Sequence, residues 1–259
     1  MATLPSFADA LRMNRVLVIA HRGDSRAAPE NTLPAFESAV RLGVDLVELD
    51  YQHSADGVPV VFHDEELDRL TDACRLGGER KIALASKSLP ELRALDAGSW
   101  FGSQFAGTRI PTLAEALHLI CDRSLALVER KAGDAETFVA LAKQEKYLGR
   151  LAVMAFDWDY LAECRRLSAD LSLGALGEKD LTAPQLDRIQ SLGASFVGWN
   201  NEHLTESYID AIHERGLKAF VWTVDDPARA EQLIDFGIDA ITSNVPAVVK
   251  KVIESRRKV

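Results

Sequence analysis

From Val16 onward the chain alternates short apolar runs with longer amphipathic ones. The runs VLVIAH (16–21), DLVELD (45–50), VPVVFH (58–63), LALVERK (125–131), LAVMAF (151–156), LSLGAL (171–176), SFVGWN (195–200), AFVWTV (219–224) and IDAITS (238–243) are β-branched or leucine-rich and read as strands. Helical patterns such as LPAFESAVRL, DAETFVALAKQEKY and ARAEQLIDF separate most of them, with Gly43, Gly193, Gly216 and Gly237 as helix stops. This alternation is the pattern of βα units around a parallel sheet.

Nine such runs are one too many for an eight-stranded barrel. The second and third are joined only by a few residues around Ala55-Asp56-Gly57. A parallel crossover needs a dozen or more residues, whereas Asp-Gly signals a hairpin. A turn centred on the Asp56-Gly57 bond pairs positions whose numbers sum to 113 and sets Asp50 opposite His63. The third run is then an excursion. The remaining eight parallel strands close a (β/α)8 TIM barrel, and His63 lies over the C-terminal mouth of the second strand. The polar stretch 64–111 carries no clear barrel strand and reads as a small insertion or lid beside that mouth. One barrel domain over 1–259 accounts for the whole length.

Chemistry in such a barrel sits at the C-terminal strand ends, and these are strongly charged. The first ends in His21-Arg22-Gly23, a proton donor or acceptor beside an anion-binding fork. The second ends in Glu48-Leu49-Asp50, where alternation puts both carboxylates on one face of a strand covered on both sides. Unpaired, they repel; a hard Mg²⁺ or Ca²⁺ ion satisfies them, and the alternative is salt bridges to Arg22 and Lys131. The strand LALVERK brings Glu129, a third carboxylate, and Lys131, a point charge for phosphate, to the same face. Arg130 faces the helical layer, where an apolar residue is expected. Together with His63 this is equipment for phosphoryl transfer with acid-base help. Nucleotide-binding loops, G-x-S-x-G and H-E-x-x-H are missing from the sequence. The other histidines, His53, His118, His203 and His213, read mostly as solvated.

Charge narrows the partners. Lysine plus arginine total 30 against 39 acidic residues, a net charge of −9, so the long-range field repels nucleic acid. A small anionic substrate needs a local cation, which again points to a bound metal. Cys74, Cys121 and Cys164 lack metal or redox spacing and read as buried thiols of a reducing compartment. The apolar run Val16–Ala20 is too short for a signal-peptide core, and no run approaches the roughly 20 residues of a membrane span. The expectation is a cytoplasmic protein, monomeric or homodimeric.

The segment AHRGDSRAAPENTLPAFESAVRLGVDLVELDYQHSADGVPVVFHDEELDRLTD (20–72) resembles the glycerophosphodiester phosphodiesterase family, and the likeness continues through KSLPELRALDAGSWFGSQFAGTRIPTLAEAL (87–117), LVERK (127–131), VWTVDD (221–226) and GIDAITSNVP (237–246). The resemblance implies hydrolysis of a glycerophosphodiester to glycerol 3-phosphate and an alcohol, with the glycerol 2-hydroxyl as a first nucleophile that gives a cyclic phosphate. It implies His21 and His63 as the acid-base pair, Glu48, Asp50 and Glu129 as ligands of one divalent cation, and Arg22 and Lys131 as phosphate contacts. Trp222 matches the aromatic bordering the alcohol pocket, its alternative being packing in the barrel core. In PENT, Asn31 or Thr32 looks like a helix cap, and Glu30 is placed to orient Arg22. The chain departs from the family at Ala155-Phe156, at Asp225 where Asn is common, and at Ser243-Asn244 where Asp is frequent. Two other readings stand beside this one. A lysophospholipase D-like hydrolase would need an apolar groove for an acyl chain; a non-catalytic phosphate- or cation-binding barrel would need neither histidine.

Overall fold

The structure, a computed structural model, describes residues 5–77 and 80–256. Among the described residues nine strands form: β1 (Leu17–Ala20), β2 (Leu46–His53), β3 (Pro59–Val61), β4 (Leu125–Arg130), β5 (Leu151–Ala155), β6 (Ser172–Gly177), β7 (Phe196–Asn200), β8 (Lys218–Trp222) and β9 (Ala240–Ser243). Eight are parallel, and β1 pairs with both β2 and β9, so the sheet closes into a barrel with helices between the strands. The short strand β3 hangs antiparallel on β2.

Strand pleating sorts each strand between two cores. Leu17 and Ile19 of β1, Leu46 of β2 and Leu125 and Leu127 of β4 point into the barrel, with Phe196, Phe220 and Met154. Their neighbours Val18, Val47, Leu49, Ala126 and Val128 point outward to the helices. The helix Phe7–Leu11 adds Phe7 to the interior cluster, its ring 6.0 Å from that of Phe196. Continuing the same alternation upward carries Glu48, Asp50 and Glu129 to the interior, one or two pleats above these leucines.

The hairpin differs from its expected register. Tyr51 pairs with Val61, Gln52 with Val60 and His53 with Pro59, so paired numbers sum to 112 rather than 113. The reason is the turn: Ala55-Asp56-Gly57 forms a three-residue loop in which Ser54 N–H donates to Val58 O at 3.0 Å and Gly57 takes φ +77°. Asp-Gly here completes a type I turn with a left-handed glycine instead of forming a two-residue turn. Asp50 therefore faces Phe62, whose N–H donates to Asp50 O at 3.1 Å, and His63 follows just past the paired segment.

Beyond the hairpin the chain builds a third, small core. Phe62, Leu67, Leu84, Leu92 and Ile110 are buried together, and the helices Ala73–Gly77 and Leu89–Arg93 lie within this stretch. Arg130 does face the helical layer. Its guanidinium lies 4.8 Å from the centre of the Tyr160 ring and donates to Gly133 O and Asp157 Oδ2, both at 3.0 Å, so its charge is fully used there. Cys121 and Cys164 are buried as expected, whereas Cys74, on the short helix Ala73–Gly77, is only half-buried. Among the described residues no helix is long and apolar enough to cross a membrane.

Candidate active site

Asp50 of β2 and Glu129 of β4 are register partners in adjacent parallel strands, and Glu48 stands one pleat below Asp50. One oxygen from each of the three carboxylates lies within 4.8 Å of the others. All three residues are buried, Glu48 and Asp50 at 1% exposure. Packing three anions together without water is unfavourable unless a positive charge joins them. Burial and the charges of Asp50 and Glu129 push the Glu48 carboxyl well above the usual range. Burial and Asp50 push Glu129 up to about 7. Burial acts on Asp50 in the same direction, but Lys131, Arg22 and His63 hold it below its ordinary value.

Arg22 and Lys131 only partly satisfy the cluster. Lys131 Nζ bridges Glu129 and Asp50, 3.4 Å from Asp50 Oδ1. Arg22 Nε sits 3.3 Å from Asp50 Oδ2, while its Nη1 donates to Glu30 Oε1 at 2.7 Å and its backbone N–H to Glu48 Oε2 at 2.7 Å. Glu30 thus orients Arg22. Even so, Glu48 Oε1 and Asp50 Oδ1 are buried without a hydrogen-bond partner. Two carboxylate oxygens without a hydrogen bond beside a third carboxylate are a fitting donor set for a hard divalent cation.

The two histidines have different surroundings. His21 Nδ1 is 2.7 Å from Asn244 Oδ1, and burial together with the Arg22 charge lowers its pKa to about 4. His63 Nδ1 is 2.7 Å from Asp64 Oδ1. Burial works against ionisation of Asp64, but hydrogen bonds from Arg69 and His63 keep it ionised. Trp222 packs against the interior cluster, its Nε1 donates to Gly198 O at 3.2 Å, and its ring meets Phe156 edge-on at 5.7 Å. It is both core filler and rim.

The barrel brings all eight expected site residues to one mouth. It also adds residues that sequence reasoning did not assign. Asn31 is no helix cap: its Nδ2 donates to Asp50 Oδ2 at 2.7 Å and its Oδ1 accepts from Asp50 N–H at 3.1 Å, while Thr32 caps the helix Leu33–Leu42 by position without a side-chain bond to it. Arg69, exposed on the stretch that carries the third, small core, forks onto Asp64 and onto Glu30, tying the neighbourhood of His63 to that of Arg22. No local pattern marks Arg69. Of the other histidines, His118, His203 and His213 are exposed, whereas His53 is half-buried near Asp134.

A closed parallel barrel with charged chemistry at its C-terminal mouth defines a TIM-barrel enzyme. The chain belongs to the glycerophosphoryl diester phosphodiesterase family, whose model matches residues 21–248, and is a phosphoric diester hydrolase. It is 35% identical over 239 residues to a glycerophosphodiester phosphodiesterase of Caldanaerobacter subterraneus subsp. tengcongensis, covering 90% of this chain and 95% of that one. An Oleispira antarctica phosphodiesterase, solved in complex with the product sn-glycerol-3-phosphate, superposes with TM-score 0.83 and 29% identity over 92% of this chain and 96% of its own. A Silicibacter pomeroyi structure superposes with TM-score 0.87 and 26% identity, covering 96% and 97% of the two chains.

Proposed function

We propose that this chain hydrolyses glycerophosphodiesters to sn-glycerol 3-phosphate and an alcohol, with His21 as proton acceptor and His63 as proton donor beside a divalent cation, Mg²⁺ or Ca²⁺, held by Glu48, Asp50 and Glu129. The observation that carries this reading is the buried triad with two oxygens that accept no hydrogen bond, flanked by both histidines and both cationic side chains. The product bound by the Oleispira antarctica relative supports the glycerol 3-phosphate half of the substrate.

Bound at the triad, a divalent cation supplies Lewis-acid charge at a phosphate oxygen and eases ionisation of the attacking hydroxyl. Arg22 and Lys131 face the remaining phosphate oxygens and offset charge that builds up in the transition state. His21, kept neutral by burial, takes the proton of the attacking hydroxyl as the new P–O bond forms. His63, with Nδ1 held on Asp64, hands a proton from Nε2 to the alcohol oxygen as its bond to phosphorus breaks. Where the attacker is the glycerol 2-hydroxyl, water then opens the cyclic phosphate with the two roles reversed, and each histidine ends as it began. The three thiols, none in a disulfide, fit a reducing, cytoplasmic setting.

The test is glycerol 3-phosphate release from glycerophosphocholine and glycerophosphoethanolamine by purified protein, after EDTA treatment and after Mg²⁺ or Ca²⁺ is restored. Release that EDTA abolishes and one of the ions restores is the expected result. A folded, ion-supplied sample that leaves both diesters intact overturns the substrate assignment; release undiminished by exhaustive chelation overturns the role of the triad.

A further inference from the structure

Asn244 follows β9 directly, and Asp225 lies shortly after β8. Asp225 is a hub of acceptors. Its Oδ1 accepts from Ser243 Oγ at 3.0 Å and from Asn244 N–H at 2.8 Å, and its Oδ2 accepts from Asn244 Nδ2 at 2.8 Å. A carboxylate has no proton to offer, so the Asn244 atom facing it must be the NH₂ group. The amide cannot be turned over without setting two acceptors against each other. Its Oδ1 is therefore the end presented to His21 Nδ1 at 2.7 Å, and Ser25 Oγ donates to the same oxygen at 3.1 Å.

An amide oxygen only accepts, so the ring nitrogen opposite it must carry a hydrogen. We propose that Asp225 and Asn244 are positioning residues that fix His21 in its Nδ1-protonated tautomer and leave the lone pair on Nε2, where the proton of the attacking hydroxyl is received. This rests on the reading of His21 as proton acceptor given above. Neither residue touches the reacting atoms; they act through the ring. The device differs from that at His63, where a carboxylate holds Nδ1 directly. At His21 the negative charge stands one amide further away. The His21 ring is thereby oriented by an acceptor that carries no charge of its own.

The tautomer can be read in the resting protein, without substrate, from the ring ¹⁵N resonances of histidine-labelled protein, the His21 signals being those lost in His21→Gln. Above the His21 titration we expect a protonated Nδ1 and a bare Nε2. Asn244→Leu, which removes the acceptor at similar size, should populate the other tautomer and lower kcat about 10- to 100-fold with little change in KM. The exchange Asp225→Asn with Asn244→Asp keeps a donor opposite every acceptor along this chain and should restore the Nδ1–H tautomer. A wild-type His21 protonated on Nε2 overturns the inference, as does Asn244→Leu with unchanged tautomer and kcat, or a folded exchange variant that loses Nδ1–H. Because the resonances need no turnover, they decide the tautomer even in a preparation that cleaves no diester, so failure of the substrate assignment is separately visible.

Discussion

Asn31 shows how one neutral side chain conditions a charged site. It is 2% exposed and grips Asp50 twice, once at the carboxylate and once at the backbone N–H, from a left-handed conformation at φ +58°. Asn31→Gly and Asn31→Ala should both weaken Mg²⁺ or Ca²⁺ binding about 10- to 100-fold, seen by calorimetric titration. Alanine should be less stable than glycine there by ~1–2 kcal/mol in chemical denaturation, since only alanine resists that backbone region. Equal stability of the two would show that the backbone conformation carries no penalty. His21→Ala and His63→Ala are expected to lose about 10²- to 10⁴-fold in turnover with a native far-UV circular dichroism spectrum. Near-wild-type turnover in either variant would remove that histidine from the proton transfers. Residue type and strand position sufficed to put His21 and the three carboxylates at the barrel mouth, whereas His63 arrives one residue past the register expected of it. Asn31 could not be placed so, because its partner lies 19 residues away and its own segment reads locally as a helix start.

At the scale of elements, the turn after β1 is what joins strand to helix at the site. Gly23 takes φ +80°, and a Cβ there would come within 2.7 Å of the backbone carbon of Ala35 in the helix Leu33–Leu42. Its N–H also donates to Glu48 O at 3.2 Å, which seats this turn on β2. Gly57, in the hairpin turn, has a similar φ of +77° but open space around it. Gly57→Ala should therefore cost only the conformational term, ~1–2 kcal/mol. Gly23→Ala should cost clearly more and also weaken cation binding, because the helix backbone cannot give way. Urea titration of the two variants separates strain from clash, and equal midpoints would mean that the helix shifts freely. The hairpin itself teaches a narrower lesson. Asp-Gly announced the reversal, but it serves a two-residue or a three-residue loop equally well, and the bond from Ser54 to Val58 selects the latter.

For the whole molecule the triad couples stability, metal and pH. With its pKa pushed up from 4.5 to about 7, Glu129 binds more protons in the folded state than in the unfolded one. Its contribution to stability is complete below 4.5 and is lost as pH rises through 7; Glu48, raised by the same burial, acts in the same direction. Chelated protein should thus lose stability at the triad as pH rises from 5 to 8. Ligation needs the ionised carboxylates, so Mg²⁺ or Ca²⁺ should raise the Tm more at pH 8 than at pH 6. At a hundred times the Kd the gain is about 2.7 kcal/mol, or roughly 5–10 °C for a chain of this size. Thermal scans with and without the ion at both pH values check this, and a Tm gain independent of pH would mean that the triad carboxylates are already ionised before the ion arrives.

What could be read in one dimension is what obeys a local rule. The two-residue pleat put Glu48, Asp50 and Glu129 on the same face as the leucines beneath them, and eight parallel strands, once the hairpin was set aside, closed the barrel. Contacts between distant parts of the chain obey no such rule. The fork of Arg69 onto Asp64 and Glu30, the grip of Asn31 on Asp50, and the path from Asp225 through Asn244 to His21, whose last link joins residues 223 positions apart, exist only because closing the barrel brings separate strand ends to one mouth. Residue types and strand periodicity sufficed for the charges of the site. The orientation of each charged group depends on a hydrogen-bond partner, and which partner arrives is a property of the folded barrel.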